Sequence, residues 1–336
     1  MAKKGHGIAL FSGGLDSALA VLLIRRQGIE VTALSFMNHF GCDMDDRSSC
    51  GSNPFPVAEQ FGFTVKLMHL GQKFVNIVRN PKYGHGKNMN PCIDCRILML
   101  TEAKHFMEMV GADFVFTGEV IGQRPMSQHR AQMEIVQRDA GLEGRLVRPL
   151  CAKLLPETEP ERLGIIDREK LEAINGRSRR RQMELADQFG LEDYPTPAAG
   201  CLLTDKGYSA RLRDYFSHCE LVDFTELNLL KIGRHFRVND RLKVIVGRNE
   251  AENDKIEKYC KTGEWLFEAR DANSPITIIK GDLTDDAIKT AAEITARYCS
   301  DRDKKAVEIT FWNGDDSERK VSVSPATDAY LETVRL

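Results

Sequence analysis

Ile8-Ala9-Leu10-Phe11, running straight into Ser12-Gly13-Gly14-Leu15-Asp16-Ser17, is the stretch on which the fold turns. The apolar run reads as a short buried strand. From Ser17 to Gln27, apolar Ala20, Leu23 and Ile24 recur at helical spacing, and Arg25, Arg26 and Gln27 close the segment, so a helix follows. Between strand and helix, two glycines let the backbone approach an anion, two serine hydroxyls add donors, and the exposed amides of a helix start favour negative charge. The plain alternative is a strand-to-helix turn with Asp16 or Ser17 as N-cap. The position, where a phosphate loop belongs in such a unit, favours phosphate binding at Ser12, Gly13, Gly14, Asp16 and Ser17.

Working outward, Val31 to Phe36, Thr64 to Leu70 and Phe114 to Thr117 are further strand candidates, separated by helical segments such as Ile97 to Met109. The alternation predicts a doubly wound parallel α/β sheet, with ligands outside the carboxyl ends of its strands. A helical region is expected over Asp167 to Phe189, and Tyr194-Pro195-Thr196-Pro197-Ala198-Ala199-Gly200 reads as a loop. Beyond Ser217 the texture changes. Strand-like runs at Leu242 to Val246, Ile276 to Ile279, Val307 to Phe311 and Lys320 to Val323 mix with helical segments near Asn249 to Cys260 and Asp285 to Tyr298, which predicts a smaller α+β domain. The expected domains are 1–215 and 216–336.

The chain has 336 residues, 47 basic against 49 acidic side chains, a net charge of −2 and nine cysteines. Apolar stretches are too short to span a bilayer, and Ile8 to Phe11 is too brief for a signal-peptide core, so a cytoplasmic protein without a membrane partner is expected. In that compartment nine thiols, an odd number, read as packing residues plus a metal-binding or catalytic subset. A net charge near zero restricts any RNA contact to local basic patches.

Asn90-Pro91-Cys92-Ile93-Asp94-Cys95 leads into a helix, with two thiols near its start, where amide dipoles lower thiol pKa. A third candidate, Cys201, lies in Ala199-Gly200-Cys201-Leu202-Leu203-Thr204. Three such cysteines suit ligands of a [4Fe–4S] cluster with one iron open, part of a zinc site, or a redox pair with a spare. Cys151, Cys219, Cys260 and Cys299 lie in apolar or helical contexts and read as packing residues. Cys42 and Cys50 flank the acidic run Asp43-Met44-Asp45-Asp46, which reads as a solvated connector, with a metal or substrate role as the alternative.

The Ser12–Ser17 form resembles the pyrophosphate loop of the ATP pyrophosphatase superfamily, which cleaves ATP between the α and β phosphates. Neither a G-x-x-x-x-G-K-[ST] nor a G-x-G-x-x-G loop competes with it. The Cys95-Arg96 helix start, Thr117-Gly118-Glu119-Val120-Ile121-Gly122-Gln123 with Ser127-Gln128, then Arg148-Pro149-Leu150 and Gly200-Cys201-Leu202-Leu203 resemble, in chain order, the motifs of the tRNA 4-thiouridine synthetase family. Phe36-Met37 and Asn90-Pro91 are similar to the related 2-thiouridine tRNA sulfurtransferases, and the resemblance covers residues 5 to 210. It implies ATP-dependent thiolation of a tRNA uridine, with C4 favoured over C2. Ser12 to Ser17 would hold the phosphates, Asp16 would arrange the loop and Mg²⁺, and Phe36 and Met37 would border the adenine. Thr117, Gly118, Gln123, Arg124, Gln128, His129 and Arg130 would lie near ATP or the uridine.

In relatives a C-x-x-C plus a distant cysteine holds a [4Fe–4S] cluster, while in other branches two of these thiols run a persulfide relay. The presence of Cys92 favours the cluster, with Cys92, Cys95 and Cys201 as ligands and Cys95 and Cys201 as the catalytic pair. A sulfide or persulfide carrier would supply the sulfur, and a homodimer is the oligomer considered. Two rival readings are an amide ligase or amidotransferase built on the same loop, and an RNA-binding protein without catalysis.

The phosphate loop begins at Ser12, so the grip on RNA is expected elsewhere than in the front module of the 4-thiouridine synthetases. Val246-Gly247-Arg248-Asn249 through Asp254, with Glu264-Trp265-Leu266-Phe267-Glu268-Ala269-Arg270-Asp271 and Ser274-Pro275, resembles the NFACT RNA-binding domain, although Glu268 stands in place of its histidine. Arg234, Arg237, Arg241, Lys243 and Arg248 are candidate phosphate contacts and Trp265 a candidate stacking surface, against a core tryptophan and solvated charges. Arg177 to Arg181 is a denser patch, suited to an RNA backbone or to a solvated helix face.

Overall fold

A computed structural model describes residues 5–40, 53–191, 194, 201–314 and 318–336. Cys42, Cys50, the acidic run between them and 195–200 lie outside these residues. The chain divides into two compact units, 1–205 and 206–336.

Among the described residues the first unit holds a five-stranded parallel sheet of β1 (His6–Leu10), β2 (Glu30–Met37), β3 (Thr64–His69), β4 (Phe114–Thr117) and β5 (Leu146–Val147), in the order β3-β2-β1-β4-β5. Side chains alternate between the two faces of a strand. Ala9, Phe114 and Phe116 pack with Leu19 and Leu23 of helix Leu15–Arg25 and Leu185 of helix Arg180–Phe189. Ile8, Leu10 and Val115 pack with Leu100, Ala103 and Met107 of helix Cys92–Val110 on the opposite face. Burial on both faces explains why these strands read as unbroken apolar runs. The chain leaves β1 toward β2 and later returns to β4 on the other side, so the order reverses between β1 and β4. The carboxyl ends of strands beside such a switch point are the usual ligand position in sheets of this kind.

The helix expected over Asp167 to Phe189 is shorter. A 3-10 turn at Arg168–Lys170 is followed by irregular backbone, and only Arg180–Phe189 is α-helical. The Gly176 amide donates to the Ile121 carbonyl at 2.7 Å and Asn175 bridges to Ile121, so tertiary bonds take the backbone groups a continuous helix would need.

In the second unit β6 (Arg234–Asn239), β7 (Leu242–Val246), β8 (Leu266–Glu268), β9 (Thr277–Lys280), β10 (Val307–Trp312) and β11 (Arg319–Val323) form an antiparallel sheet in the order β11-β10-β8-β9-β7-β6. Helix Asp285–Tyr298 buries Ala287, Ala291 and Ala292 against Phe236, Val244 and Phe267, while Ile245, Leu266 and Ile278 pack with Leu229 and Ile256 in a second cluster. The expected boundary at 215/216 falls inside helix Lys206–His218, a single element of the second unit. Its Asp214 carboxylate binds Arg237 Nε at 2.7 Å and Lys243 Nζ at 2.9 Å, which ties the helix to the sheet. No helix among the described residues is long and apolar enough to cross a membrane.

Burial pushes the Asp214 carboxyl upward, but hydrogen bonds from Arg237 and the charge of Lys243 outweigh it and hold the group down at about 2. Replacing Asp214 with Ala leaves Lys243 buried without its carboxylate and is expected to cost about 3–5 kcal/mol. Both tryptophans, Trp265 and Trp312, lie in this unit, so urea melts followed by tryptophan fluorescence isolate the effect. Because the folded pKa is depressed, the stabilisation is complete above the ordinary carboxylate value of 3.8 and is lost as pH falls toward about 2. The variant and the parent should therefore converge in acid.

Candidate active site

Ser12 to Ser17 leads from the carboxyl end of β1 into helix Leu15–Arg25, at the point where the strand order reverses between β1 and β4. Gly13 has φ of 72°, a left-handed conformation that turns the chain out of β1. Gly14 is the N-cap and no side chain caps the helix, so neither Asp16 nor Ser17 plays that part. The amides of the first turn are therefore left without a capping acceptor. The Ser17 hydroxyl donates to the Gly14 carbonyl at 2.8 Å and accepts from the Ser12 amide at 3.3 Å, which holds the loop closed on itself. Phe36 and Met37 end β2 beside this loop, since β2 pairs with β1 through Leu34 and Leu10.

The Asp16 carboxylate is held from outside the loop. Its Oδ2 accepts Gln123 Nε2 at 2.8 Å and stands 3.6 Å from an Arg179 nitrogen, while its buried Oδ1 has no partner among the described residues. An uncommitted carboxylate oxygen in this loop suits Mg²⁺ in donor chemistry.

Gly118 lies against the same helix start. A Cβ there would stand 2.5 Å from the carbonyl of Asp16 and 2.7 Å from the Ser17 amide, so the Thr117-Gly118-Glu119 turn closes on the loop only with glycine. Glu119 is 3% exposed. Its Oε2 accepts Arg148 Nε at 3.0 Å and the Thr117 hydroxyl at 3.1 Å, while Arg96 Nε stands 3.1 Å from Oε1 as an ion pair. Burial would raise the Glu119 carboxyl, but the charges of Arg96 and Arg148 and the hydrogen bonds from Arg148 and Thr117 win and hold it below the ordinary range. Arg148 also donates to Gln137 Oε1 at 3.0 Å and to the Met133 carbonyl at 3.2 Å. Three motifs thus meet at one carboxylate. Thr117 spends its hydroxyl on Glu119, and Gln128 accepts the Arg124 amide at 3.1 Å, so both brace the turn. His129 and Arg130 are exposed.

Arg96 follows Cys95 on helix Cys92–Val110, so the Glu119 pair also sets the thiol-bearing helix start. The Asn90 amide donates to Cys92 Sγ at 2.9 Å, and the Cys95 amide bonds the Pro91 carbonyl at 2.8 Å. Asp94, between the two cysteines, accepts the backbone amides of Lys82 at 2.9 Å and Tyr83 at 3.1 Å. Cys201 precedes the 3-10 turn Leu202–Thr204. The Met89 amide donates to the Leu203 carbonyl at 3.0 Å and Asn88 Nδ2 to the Thr204 carbonyl at 2.6 Å. The segment carrying Cys201 is therefore bonded to the one just before Cys92. Three thiols on adjoining segments suit a [4Fe–4S] cluster in donor chemistry. Among the described residues no group of three His, Cys, Asp or Glu side chains closes to metal-binding geometry. Cys151 is buried, its thiol pushed up to about 11 by burial, and Cys299 is likewise buried, in keeping with packing roles.

The basic candidates of the second unit are mostly committed to the protein itself. Arg237 and Lys243 bind Asp214, Arg248 pairs with Glu252, and the Arg234 guanidinium sits 4.6 Å from the Tyr298 ring centre. Trp265 is buried against Phe311 in the core and offers no stacking face, while Arg241 is exposed. The contacts of Arg96 and Arg179 and the Asn88–Thr204 bond were not readable in advance, because each joins residues far apart in sequence.

Replacing Glu119 with Gln removes the charge between two guanidinia and is expected to destabilise the chain by about 3–5 kcal/mol. Urea unfolding followed by far-UV circular dichroism measures this, and an unchanged midpoint would remove the carboxylate from its central role.

Comparison with known proteins gives two domain matches, the tRNA methyl transferase HUP domain over residues 6–140 and the NFACT protein RNA binding domain over residues 233–334. The bifunctional protein NifU/MnmA of Rubrobacter xylanophilus is 30% identical over 128 residues, 35% of this chain and 26% of that protein. A tRNA-specific 2-thiouridylase of Bartonella quintana is 25% identical over 37% of this chain and 33% of its own length, and a probable tRNA sulfurtransferase of Thermococcus kodakarensis 26% identical over 44% and 37%. The alignments thus span about a quarter to a third of these relatives' length. Among solved structures, a 4-thiouridine synthetase–RNA complex with bound ATP is 17% identical over 57% of this chain and 53% of that one, with a TM-score of 0.33. The chain joins a front domain similar to the HUP domain and to parts of tRNA-thiolating proteins with a back domain similar to the NFACT RNA-binding domain.

Proposed function

We propose that this chain is an ATP-dependent tRNA uridine sulfurtransferase acting in the cytoplasm. The observation that carries the reading is the covalent and ionic thread from thiol to phosphate loop. Cys95 adjoins Arg96, Arg96 binds Glu119, and Gly118 beside Glu119 lies on the Asp16 backbone. One buried carboxylate therefore sets the distance between a nucleotide loop and a thiol-bearing helix start, as adenylation followed by sulfur transfer requires.

In this reading the free first-turn amides and the Ser12 and Ser17 hydroxyls bind the ATP phosphates, with Phe36 and Met37 along the adenine and Thr117, Gly118 and Gln123 bracing the site. A uridine carbonyl oxygen attacks the α-phosphorus, the bond to the bridging oxygen breaks, and pyrophosphate leaves with the electron pair. Hydrosulfide delivered at Cys95 and Cys201 then attacks the activated carbon, and AMP departs with the oxygen. Asp16, whose Oδ1 has no partner among the described residues, would hold Mg²⁺, which would supply charge neutralisation on the phosphates. A [4Fe–4S] cluster would take Cys92, Cys95 and Cys201 as ligands and supplies, when bound, an iron site that carries sulfide. The second unit supplies RNA binding, and a homodimer is compatible with both.

Cys95→Ala is expected to abolish sulfur incorporation into tRNA while ATP binding survives, read by nucleoside mass analysis and by equilibrium binding. Normal thiolation by the variant would sink the reading. The same digests report the position. 4-Thiouridine is expected from the motif order, and 2-thiouridine would move the chemistry to C2. Iron and acid-labile sulfide content of anaerobically purified protein tests the cluster, with a colourless preparation that still thiolates assigning a persulfide relay.

A further inference from the structure

The run Arg177-Ser178-Arg179-Arg180-Arg181 is the densest positive patch of the first unit, and its arginines divide sharply in what they touch. Arg180 is exposed and pairs with Glu184. Arg181 binds Glu172 through two nitrogens, at 3.0 and 2.8 Å, and also reaches Glu184. Arg179 points the other way, its side chain 28% exposed and 3.6 Å from Asp16 Oδ2 in the phosphate loop.

That placement is built in. The backbone ahead of Arg179 is bonded to Ile121 through Gly176 at 2.7 Å, and behind it the fully buried Gln182 donates to Gln123 Oε1 at 3.3 Å. Gln123 in turn donates to Asp16 Oδ2 at 2.8 Å. At 3.6 Å Arg179 stands beyond hydrogen-bond reach of that oxygen, which accepts Gln123, so it meets Asp16 as a charge rather than as a donor. Arg179 is also the N-cap residue of helix Arg180–Phe189, where the helix dipole disfavours a cation. An anion bound at the same spot relieves both conditions at once.

We propose that Arg179 is a phosphate-site residue: on ATP binding its guanidinium turns from Asp16 to the β and γ phosphates and neutralises the charge that grows on the leaving pyrophosphate as the bond from the α-phosphorus to the bridging oxygen breaks. This rests on the ATP-cleaving reading of the site. It takes one arginine out of the patch and assigns it to the nucleotide instead of the RNA backbone, leaving Arg180 on the solvent side.

The test uses the full chain with Arg179→Ala, Arg179→Gln, Arg179→Lys and, as control, Arg180→Ala. Arg179→Ala is expected to lower kcat for tRNA-stimulated pyrophosphate release by about 100- to 1,000-fold. Its tRNA affinity and the slope of that affinity against salt should stay as in the parent, Arg179→Lys should recover part of the rate, and Arg180→Ala should leave the rate unchanged. An unchanged kcat with weaker tRNA binding and a salt slope reduced by about one charge would overturn the proposal and return Arg179 to the RNA backbone. Should Arg179→Ala not fold, Arg179→Gln keeps a donor beside Asp16. Inorganic pyrophosphate with Mg²⁺ is expected to raise the parent's melting temperature and to protect Arg179→Gln far less, and equal protection overturns the proposal. A parent chain that is protected by pyrophosphate yet thiolates no tRNA would defeat the sulfurtransferase reading while leaving the Arg179 assignment supported.

Discussion

A buried carboxylate between two guanidinia is the constraint on which the first unit depends. Glu119 ends the strand-to-loop turn after β4, Arg148 enters from the segment after β5, and Arg96 from the second turn of the thiol-bearing helix. Burying one carboxylate alone is costly, and two cations offset that cost only with good geometry and further hydrogen bonds. Arg148 meets that condition by spreading its donors over Glu119, Gln137 and the Met133 carbonyl. The result is a rigid joint, because a small shift of any of the three segments strands a charge in the interior.

The consequence reaches the chemistry through neighbours in sequence. Gly118 and Glu119 are adjacent, so fixing the carboxylate also fixes the close approach to Asp16 and Ser17. Cys95 and Arg96 are adjacent, so the same pair fixes the start of the helix that presents the thiols. Cys201 is brought in separately, by backbone and amide bonds between Asn88-Met89 and Leu203-Thr204. Two kinds of restraint are thus at work, a buried ionic joint for the first pair of thiols and a short hydrogen-bonded seam for the third.

In the second unit similar logic pairs basic residues with the chain's own carboxylates. Lys243 and Arg237 neutralise Asp214 and hold a helix on the sheet, and Arg248 closes on Glu252 at the start of helix Glu250–Tyr259. Their positive charge is spent on the fold. A basic residue in a sequence announces a charge, but only its surroundings decide whether the charge is offered to a ligand or consumed by a neighbour.

By itself the sequence determined the alternation of buried strands and helices, the glycine loop between β1 and its helix, the C-x-x-C at a helix start, and the change to an α+β unit. These are local signals, carried by apolar periodicity, glycine placement and spacing within a few residues. Elements whose pattern is mixed were less legible. β6 reads Arg-His-Phe-Arg-Val-Asn, without clean alternation, and β8 has three residues. The motifs around Thr117, Arg148 and Cys95 were visible as separate stretches, yet nothing local says that they converge on Glu119. Tertiary structure alone decided that convergence, the burial of Trp265, the inward turn of Lys243, and the departure of Arg179 from its own arginine run toward Asp16. The physical reason is common to all four. Charge pairing and burial are settled between residues that lie far apart along the chain, and their energies exist only once the chain has folded them together.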